Sequence, residues 1–116
     1  MRHISVITTV GTLADARSLA RSLVESRLAA CAHIAQVESF YHWQGALQND
    51  TEFKITFKAR AEHYARLEAA IRSRHPYELP DIHALALDQV YAPYARWLEE
   101  STEAQAAPAR ARSQDD

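Results

Sequence analysis

Residues 28–58 constrain the fold of this chain more than any other stretch, because they have the pattern of one long β-hairpin. From Glu52 to Lys58 the returning arm alternates between polar and apolar side chains, with Phe53, Ile55 and Phe57 on the apolar face. Alternation at a period of two is typical of a strand with one buried face. The returning arm is therefore predicted to lie in a sheet that packs on a core.

The outgoing arm of this hairpin is unusually long for a small domain. Alternate positions place one set of side chains on the same face of the arm: Cys31, His33, Val37, Ser39, Tyr41 and Trp43. We expect the chain to turn near Gly45 and near residues 49–50. An arm from Ala29 to Trp43 is about twice the length of a usual strand and exposes unpaired edge, which proteins often cover with another chain. The pattern therefore predicts an assembly of several copies.

Composition excludes several classes of partner. The 116 residues suffice for one domain with a real core. A formal net charge of −2 gives no field that attracts nucleic acid or an anionic membrane surface. The apolar runs are far too short to span a bilayer. We therefore expect neither a nucleic-acid partner nor a membrane.

The counts of special residues narrow the chemistry further. A single cysteine leaves no intrachain disulfide framework, and two glycines leave no room for a P-loop or a dinucleotide-binding loop. Residues 1–7 lack the apolar segment and the cleavage site of a signal peptide. We therefore expect a cytoplasmic protein without an organic cofactor.

The remaining elements follow from periodicity and from helix-boundary signals. Residues 4–9 are β-branched and apolar, as in a central strand covered on both sides. Thr12 is a suitable N-cap for a first amphipathic helix, and residues 61–74 form a second. Residues 81–88 alternate as a fourth strand, and Pro93 suits the first turn of a short third helix.

This order predicts an α+β domain of the ferredoxin-like βαββαβ type, with a long β-hairpin and a short C-terminal helix. Right-handed crossovers place both main helices on one face of the sheet. The other face then needs a cover, which self-association supplies. Residues 1–102 are predicted to form the domain, and residues 103–116 a disordered tail with one proline and no aromatic residue.

Several separate motifs in this framework agree with one known family. They are residues 28–31, 39–45, 50–52, 57–58, 75–81 and 94–98. From Ile4 to Ser101 the chain resembles the CutA divalent-cation tolerance proteins in the order and spacing of these motifs. The resemblance implies a ferredoxin-like fold related to the PII nitrogen-regulatory proteins. It also implies a tight homotrimer whose hairpins pair between subunits, and a cytoplasmic role linked to copper and other divalent cations.

The resemblance further implies a copper site, formed by a cysteine near the end of the first strand and by two adjacent histidines before a Pro-Tyr pair. The matching positions here are Thr8, Arg74 and His75, of which His75 alone is a good copper ligand. Asp81 stands where the family usually has glutamate, which keeps the charge.

Other residues suggest metal binding without reference to the family. Cys31 and His33 are two apart on one strand and lie on one face, where thiolate and imidazole suit copper or zinc. The favoured alternative is a buried thiol beside a hydrogen-bonded histidine. His75 is either a ligand shared across a subunit boundary or a cap for the last carbonyls of its helix.

The amino terminus offers a further copper hypothesis. His3 is the third residue, so the α-amine, two backbone amides and the imidazole can form a square-planar nitrogen set, a geometry diagnostic of Cu(II) or Ni(II). The alternative is that His3 is held in place as the first residue of its strand.

A set of aromatic and charged residues suggests a binding cleft between subunits. Its members are Tyr41, Trp43, Glu52, Lys58, Tyr77, Glu78 and Asp81. A cleft lined by aromatic rings with a few convergent charges is the default site for a small molecule. The alternative is a trimer interface in which aromatics fill the core and pairs such as Glu52 with Lys58 satisfy the charges.

These observations lead to one expected function and two rivals. The sequence shows no nucleophile–base pair and no carboxylate dyad, so we do not expect an enzyme. We expect a cytoplasmic trimer for divalent-cation tolerance that binds copper or another divalent ion. The first rival is a PII-like module for a small molecule or a protein partner, with incidental metal binding. The second is a structural trimer that anchors other chains.

Overall fold

The first strand is the centre of the sheet in the computed structural model, which describes residues 2–103. Strand β1 (His3–Val10) pairs with β3 (Ala46–Arg60) on one side and with β4 (Ile82–Leu87) on the other. Strand β2 (Cys31–Trp43) completes an antiparallel sheet of order β2-β3-β1-β4. Nearly every residue of β1 is buried, so the prediction of a central strand covered on both sides is confirmed.

Two helices cover one face of this sheet. Helix α1 (Leu13–Glu25) begins at Thr12, whose hydroxyl accepts a hydrogen bond from the Asp15 N–H at 3.1 Å, as predicted. A 3-10 turn (Ala61–His63) leads into α2 (Tyr64–Arg74). The core between helices and sheet contains fully buried side chains from both layers: Val6, Leu23, Ile55, Phe57, Leu67 and Ile71.

Helix α3 (Ala92–Ser101) packs on the opposite face and carries Pro93 in its first turn. His3 and Arg60 lie opposite each other in the sheet and both contact this part of the chain. His3 Nε2 lies 2.8 Å from a Glu99 carboxylate oxygen, and Arg60 Nε donates to the Thr102 hydroxyl at 2.8 Å. The α+β ferredoxin-like architecture with a short C-terminal helix is therefore confirmed.

The hairpin of β2 and β3 is longer than a turn at residues 49–50 would allow, and its register is continuous. Pairing runs without interruption from Cys31 opposite Lys58 to Trp43 opposite Ala46. The turn consists of Gln44 and Gly45, with φ of 52° and 80°, as two-residue hairpin turns require. The predicted turn at residues 49–50 is wrong, because both residues lie inside β3.

The distal half of this hairpin projects beyond the rest of the sheet. Among residues 2–103, β1 reaches β3 only at residues 53–60, so residues 46–52 have β2 as their strand neighbour. The described chain measures 51 × 34 × 21 Å as a result. The predicted tail over residues 103–116 lies outside the described residues, apart from Glu103.

Candidate functional site

His75 sits at the junction between α2 and the loop that follows it. Its backbone N–H donates to the Ile71 carbonyl at 2.9 Å, and Pro76 then prevents the helix from continuing. Its Nε2 lies 2.9 Å from the Thr9 carbonyl oxygen and 3.1 Å from the Thr8 hydroxyl. Its Nδ1 accepts the Tyr77 N–H at 3.2 Å. Since Nδ1 accepts, the proton of the neutral ring is on Nε2 and is donated to strand β1.

This bonding determines what His75 offers to a metal ion. A ligating imidazole gives a nitrogen lone pair, and here the Nδ1 lone pair is already occupied by Tyr77. Burial lowers the pKa of His75 below its ordinary value, so the ring is neutral at neutral pH. Of the other positions implied by the family, Thr8 contacts His75, whereas Arg74 is exposed beside α1. Metal binding at His75 therefore requires release of the Tyr77 backbone.

Tyr77 links the loop after α2 to strand β3. Its hydroxyl donates to Glu52 at 2.7 Å, and the Glu52 side chain is buried, with 7% of the residue exposed. Burial, and then the hydrogen bond to Glu52, raise the pKa of Tyr77 well above its ordinary value. A Cβ added at Gly11 would lie 3.3 Å from the Tyr77 hydroxyl oxygen, so glycine there gives the ring its space.

An aromatic cavity opens beside this network. It has a volume of about 240 Å³ and is lined by Tyr41, Trp43, Tyr77, Glu78 and Leu79. The Tyr41 hydroxyl donates to Asp50 at 2.6 Å. This hydrogen bond is the main cause that raises the pKa of Tyr41, and burial is the second. Hydrogen-bonded hydroxyls fix both tyrosine rings at the wall of the cavity.

The aromatic and charged residues predicted to form one cleft do not all lie together in the structure. Tyr41, Trp43, Tyr77 and Glu78 line the aromatic cavity, and Glu52 is bonded to it through Tyr77. Lys58 lies six residues along β3 from Glu52, opposite Cys31. Asp81 instead accepts a hydrogen bond from His83 Nδ1 at 2.7 Å.

The other predicted metal ligands lie on the face of the sheet that α3 partly covers. Cys31 Sγ is 3.6 Å from the Tyr94 hydroxyl, and burial, followed by this contact, raises the pKa of Tyr94 to about 12. His33 is exposed on the same face of β2. Among residues 2–103, no three histidine, cysteine or acidic side chains come close enough to hold one metal ion.

His3 is held at the start of β1. It is 8% exposed, and its Nε2 contacts Glu99 on α3. The terminal copper site also needs the α-amine of Met1, which lies outside the described residues. A site of that kind stays a prediction.

Sequence reasoning missed two residues of the aromatic cavity and its surroundings. Residues 49–50 are predicted to form a turn, although a hairpin that turns only at Gly45 places Ser39 opposite Asp50, with Tyr41 two pairs away on the same face. That register was the available signal. Leu79 lies in the motif at residues 75–81, but nothing in that motif marks it as a lining residue, because its place depends on the path of the loop.

A class of protein follows from this geometry: a ferredoxin-like domain with a projecting hairpin and a His-Pro-Tyr loop that ties the second helix to the sheet. The family model for the CutA1 divalent ion tolerance protein matches residues 4–101. The chain belongs to this family, and the predicted resemblance is confirmed.

Relatives of known name agree with this assignment. The chain is 37% identical over 98 residues to the divalent-cation tolerance protein CutA of Thermus thermophilus, covering 84% of this chain and 95% of that protein. It is 40% identical over 84 residues to the protein CutA homolog of Xenopus laevis, covering 72% of this chain and 56% of that protein. The chain therefore spans little more than half the length of the vertebrate relative.

Solved structures give the same result. CutA1 from Oryza sativa has a TM-score of 0.86 at 31% identity, with 90% of this chain and 97% of that one covered. The Archaeoglobus fulgidus structure, described as a periplasmic divalent cation tolerance protein, has a TM-score of 0.85 at 31% identity, covering 87% and 99%. None of the helices within residues 2–103 has the length and apolar character needed to cross a bilayer.

Proposed function

We propose that this protein is a cytoplasmic homotrimer that acts in divalent-cation tolerance by binding copper or another divalent metal ion. The observation that carries the proposal is the family match across residues 4–101. The trimer is supported by the projecting hairpin, whose distal half presents Phe40 and Leu47 with 64% and 67% of each residue exposed. An exposed apolar hairpin of this size marks an association surface.

The metal is proposed to bind at boundaries between subunits, because two exposed histidines of one chain, His33 and His83, lie at opposite edges of the sheet. His33 on β2 and His83 on β4 occupy one row and one face, separated by Thr56 and Ile7. Three strand spacings make this separation roughly 14 Å, too far for one ion to bridge. In a ring of copies, the β2 edge of one subunit meets another subunit, and incomplete ligand sets from two chains can then combine.

Calorimetric titration of Cu(II) into tag-free protein of known oligomer size tests this proposal. We expect saturable binding that is weakened at least tenfold, about 1.4 kcal/mol, in His33→Ala and in His83→Ala. His42→Ala is the matched control, since His42 is also exposed on the hairpin but lies on the other face of β2.

Two further outcomes of the same titration would assign the metal to another place, and a third would contradict the proposal. Loss of binding in His75→Ala, with a folded trimer retained, would place copper at the family position. Loss in His3→Ala alone would place it at the amino terminus. Absence of saturable binding in every sample contradicts the metal proposal.

A second candidate function is a PII-like module that binds a small molecule between subunits. The specific observation in its favour is the aromatic cavity beside the Glu52–Tyr77 hydrogen bond. Its volume of about 240 Å³ suits a compact ligand. Such a module predicts a ligand-dependent rise in thermal stability that a chelator does not abolish.

A further inference from the structure

The residues that line the aromatic cavity favour a ligand of one charge. Three of its five lining residues are aromatic, and the charged one, Glu78, is an acid. In the part of the chain that the structure describes, no lysine, arginine or histidine lines it. Arg72 lines a separate cavity, which shares Tyr77 and Glu78 with this one. The lining is therefore electron-rich and acidic.

Two further carboxylates lie at the hydroxyl ends of the two tyrosines. Tyr41 donates to Asp50 at 2.6 Å and Tyr77 donates to Glu52 at 2.7 Å. Because both phenol protons are given to carboxylates, neither is free to donate to an anionic ligand. Glu52 is buried, so water screens its charge less than it screens an exposed carboxylate.

A metal ion does not match this lining, whereas an organic cation does. Divalent ions need several oxygen, nitrogen or sulfur ligands around one point, and aromatic and leucine side chains give few. An ammonium or guanidinium group is instead attracted by aromatic ring faces, and nearby carboxylates add to that attraction. A neutral apolar ligand would gain from the rings but nothing from Glu78 or from the acids bonded to the tyrosine hydroxyls.

We infer that the aromatic cavity binds a small organic cation, with an alkylated ammonium or guanidinium group held among Tyr41, Trp43 and Tyr77 and its charge balanced by Glu78. This inference rests on the second candidate function, the small-molecule module, and names the chemical class of its ligand. It is independent of where copper binds.

The test compares choline with 3,3-dimethylbutan-1-ol, an uncharged molecule of the same shape. Each is titrated, with EDTA present, into the full chain carrying Trp97→Phe, so that the fluorescence reports on Trp43 alone among the two tryptophans. We expect a saturable change with choline and at least tenfold weaker binding of the alcohol, because the alcohol has the shape without the charge.

Variants locate the binding. Glu78→Gln removes an exposed charge with little change of shape and is expected to weaken choline binding about tenfold while leaving the alcohol unchanged. Glu100→Gln, an exposed acid on α3, is the matched control and should bind choline as the parent does. A second variant, Tyr41→Phe, removes the hydroxyl of a lining residue and keeps its ring. The unfolding midpoint and the oligomer size are measured for each variant.

Each other outcome overturns the inference in a distinguishable way. Equal binding of choline and alcohol would leave the small-molecule module standing and remove the cationic class. No binding of either, with a change of oligomer size in Glu78→Gln, would show that a basic side chain of a second copy fills the cavity. No binding and no change of size would remove both this inference and the small-molecule module.

Discussion

At the scale of single residues, the buried His63 and the half-buried His75 make the fold sensitive to acid. His75 bonds Thr9 through one ring nitrogen and Tyr77 through the other, and His63 Nδ1 contacts the Leu28 carbonyl oxygen at 3.1 Å. Burial lowers the pKa of both rings below the ordinary 6.5. The unfolded chain then binds more protons than the folded chain once the pH falls below about 6.5.

The first prediction concerns this pH dependence. The free energy of unfolding should decrease as the pH falls below 6.5 and through the lowered pKa of His75. In His75→Asn the decrease should be smaller, because an amide keeps a donor and an acceptor but takes no proton there. Urea unfolding of both proteins at several pH values measures the difference. His42→Asn on the exposed hairpin is the control, and an identical pH slope in parent and His75→Asn contradicts the argument.

A second prediction concerns the buried acid. Tyr77→Phe leaves Glu52 without its hydroxyl donor at a position only 7% exposed, so the free energy of unfolding should fall by roughly 1–3 kcal/mol. Tyr41→Phe removes a similar hydroxyl from Asp50, which is exposed and can bond to water instead. Denaturant unfolding of the two variants should therefore separate them, and equal losses would mean that the burial of Glu52 does not matter.

Residue contacts were only partly predictable from the sequence. The motif containing His75 and Tyr77 was recognised, as were Glu52 and the hairpin aromatics, because residue type and family pattern both marked them. What the sequence lacked was the pairing: that His75 reaches Thr9 across 66 positions, or that Lys58 stands apart from Glu52. Such contacts depend on how a loop crosses the end of a sheet, which no local pattern encodes.

At the scale of elements, periodicity predicted the order of the four strands and three α-helices of the described chain, but not the 3-10 turn at Ala61–His63 that precedes α2. The predicted turn at residues 49–50 was wrong, because local residue preference conflicted there with the register of a long hairpin. Asn49 resolves this conflict by donating to the Ser39 carbonyl at 3.3 Å and to Glu38 at 3.2 Å across the strands. Uninterrupted strand pairing outweighs a weak turn preference at an exposed site.

The third prediction follows from the turn that does form. Gly45 has φ of 80°, where a Cβ is strained, so Gly45→Ala should lower the free energy of unfolding by about 1 kcal/mol. Gly45→Asn is the matched variant, because asparagine tolerates this region, and it should lose less. Among residues 2–103, and apart from the residues flanking Gly45, no heavy atom lies within 4 Å of an added Cβ, so any difference between the two variants reports backbone strain rather than a clash.

At the scale of the whole molecule, the length of the hairpin is the feature that points beyond one chain. Phe40 and Leu47 lie on the same face of the distal hairpin, since His42 pairs with Leu47 and Phe40 with Asn49. Tyr41 and Trp43 lie on the other face, toward the aromatic cavity. Association through Phe40 and Leu47 can therefore be removed without changing a residue that lines the cavity.

The last prediction uses this separation. The parent should have three times the chain mass of 13.1 kDa in solution, measured by light scattering after size-exclusion chromatography. The double variant Phe40→Asp with Leu47→Asp should fall to the mass of one chain, because burying two new carboxylates in an interface is strongly unfavourable. Its circular dichroism should keep the helix and strand signals, since both side chains lie outside the core of the domain.

Ala65→Asp is the control for added charge, on an exposed position of α2. It should leave the mass unchanged. A parent of single-chain mass would contradict the trimer outright. A double variant that stays trimeric would move the interface from the hairpin to the β4 edge, where Leu85 is 55% exposed. In that case the projecting part of the hairpin would have to be stabilised within one chain, although among the described residues β3 has β2 as its only strand neighbour over residues 46–52.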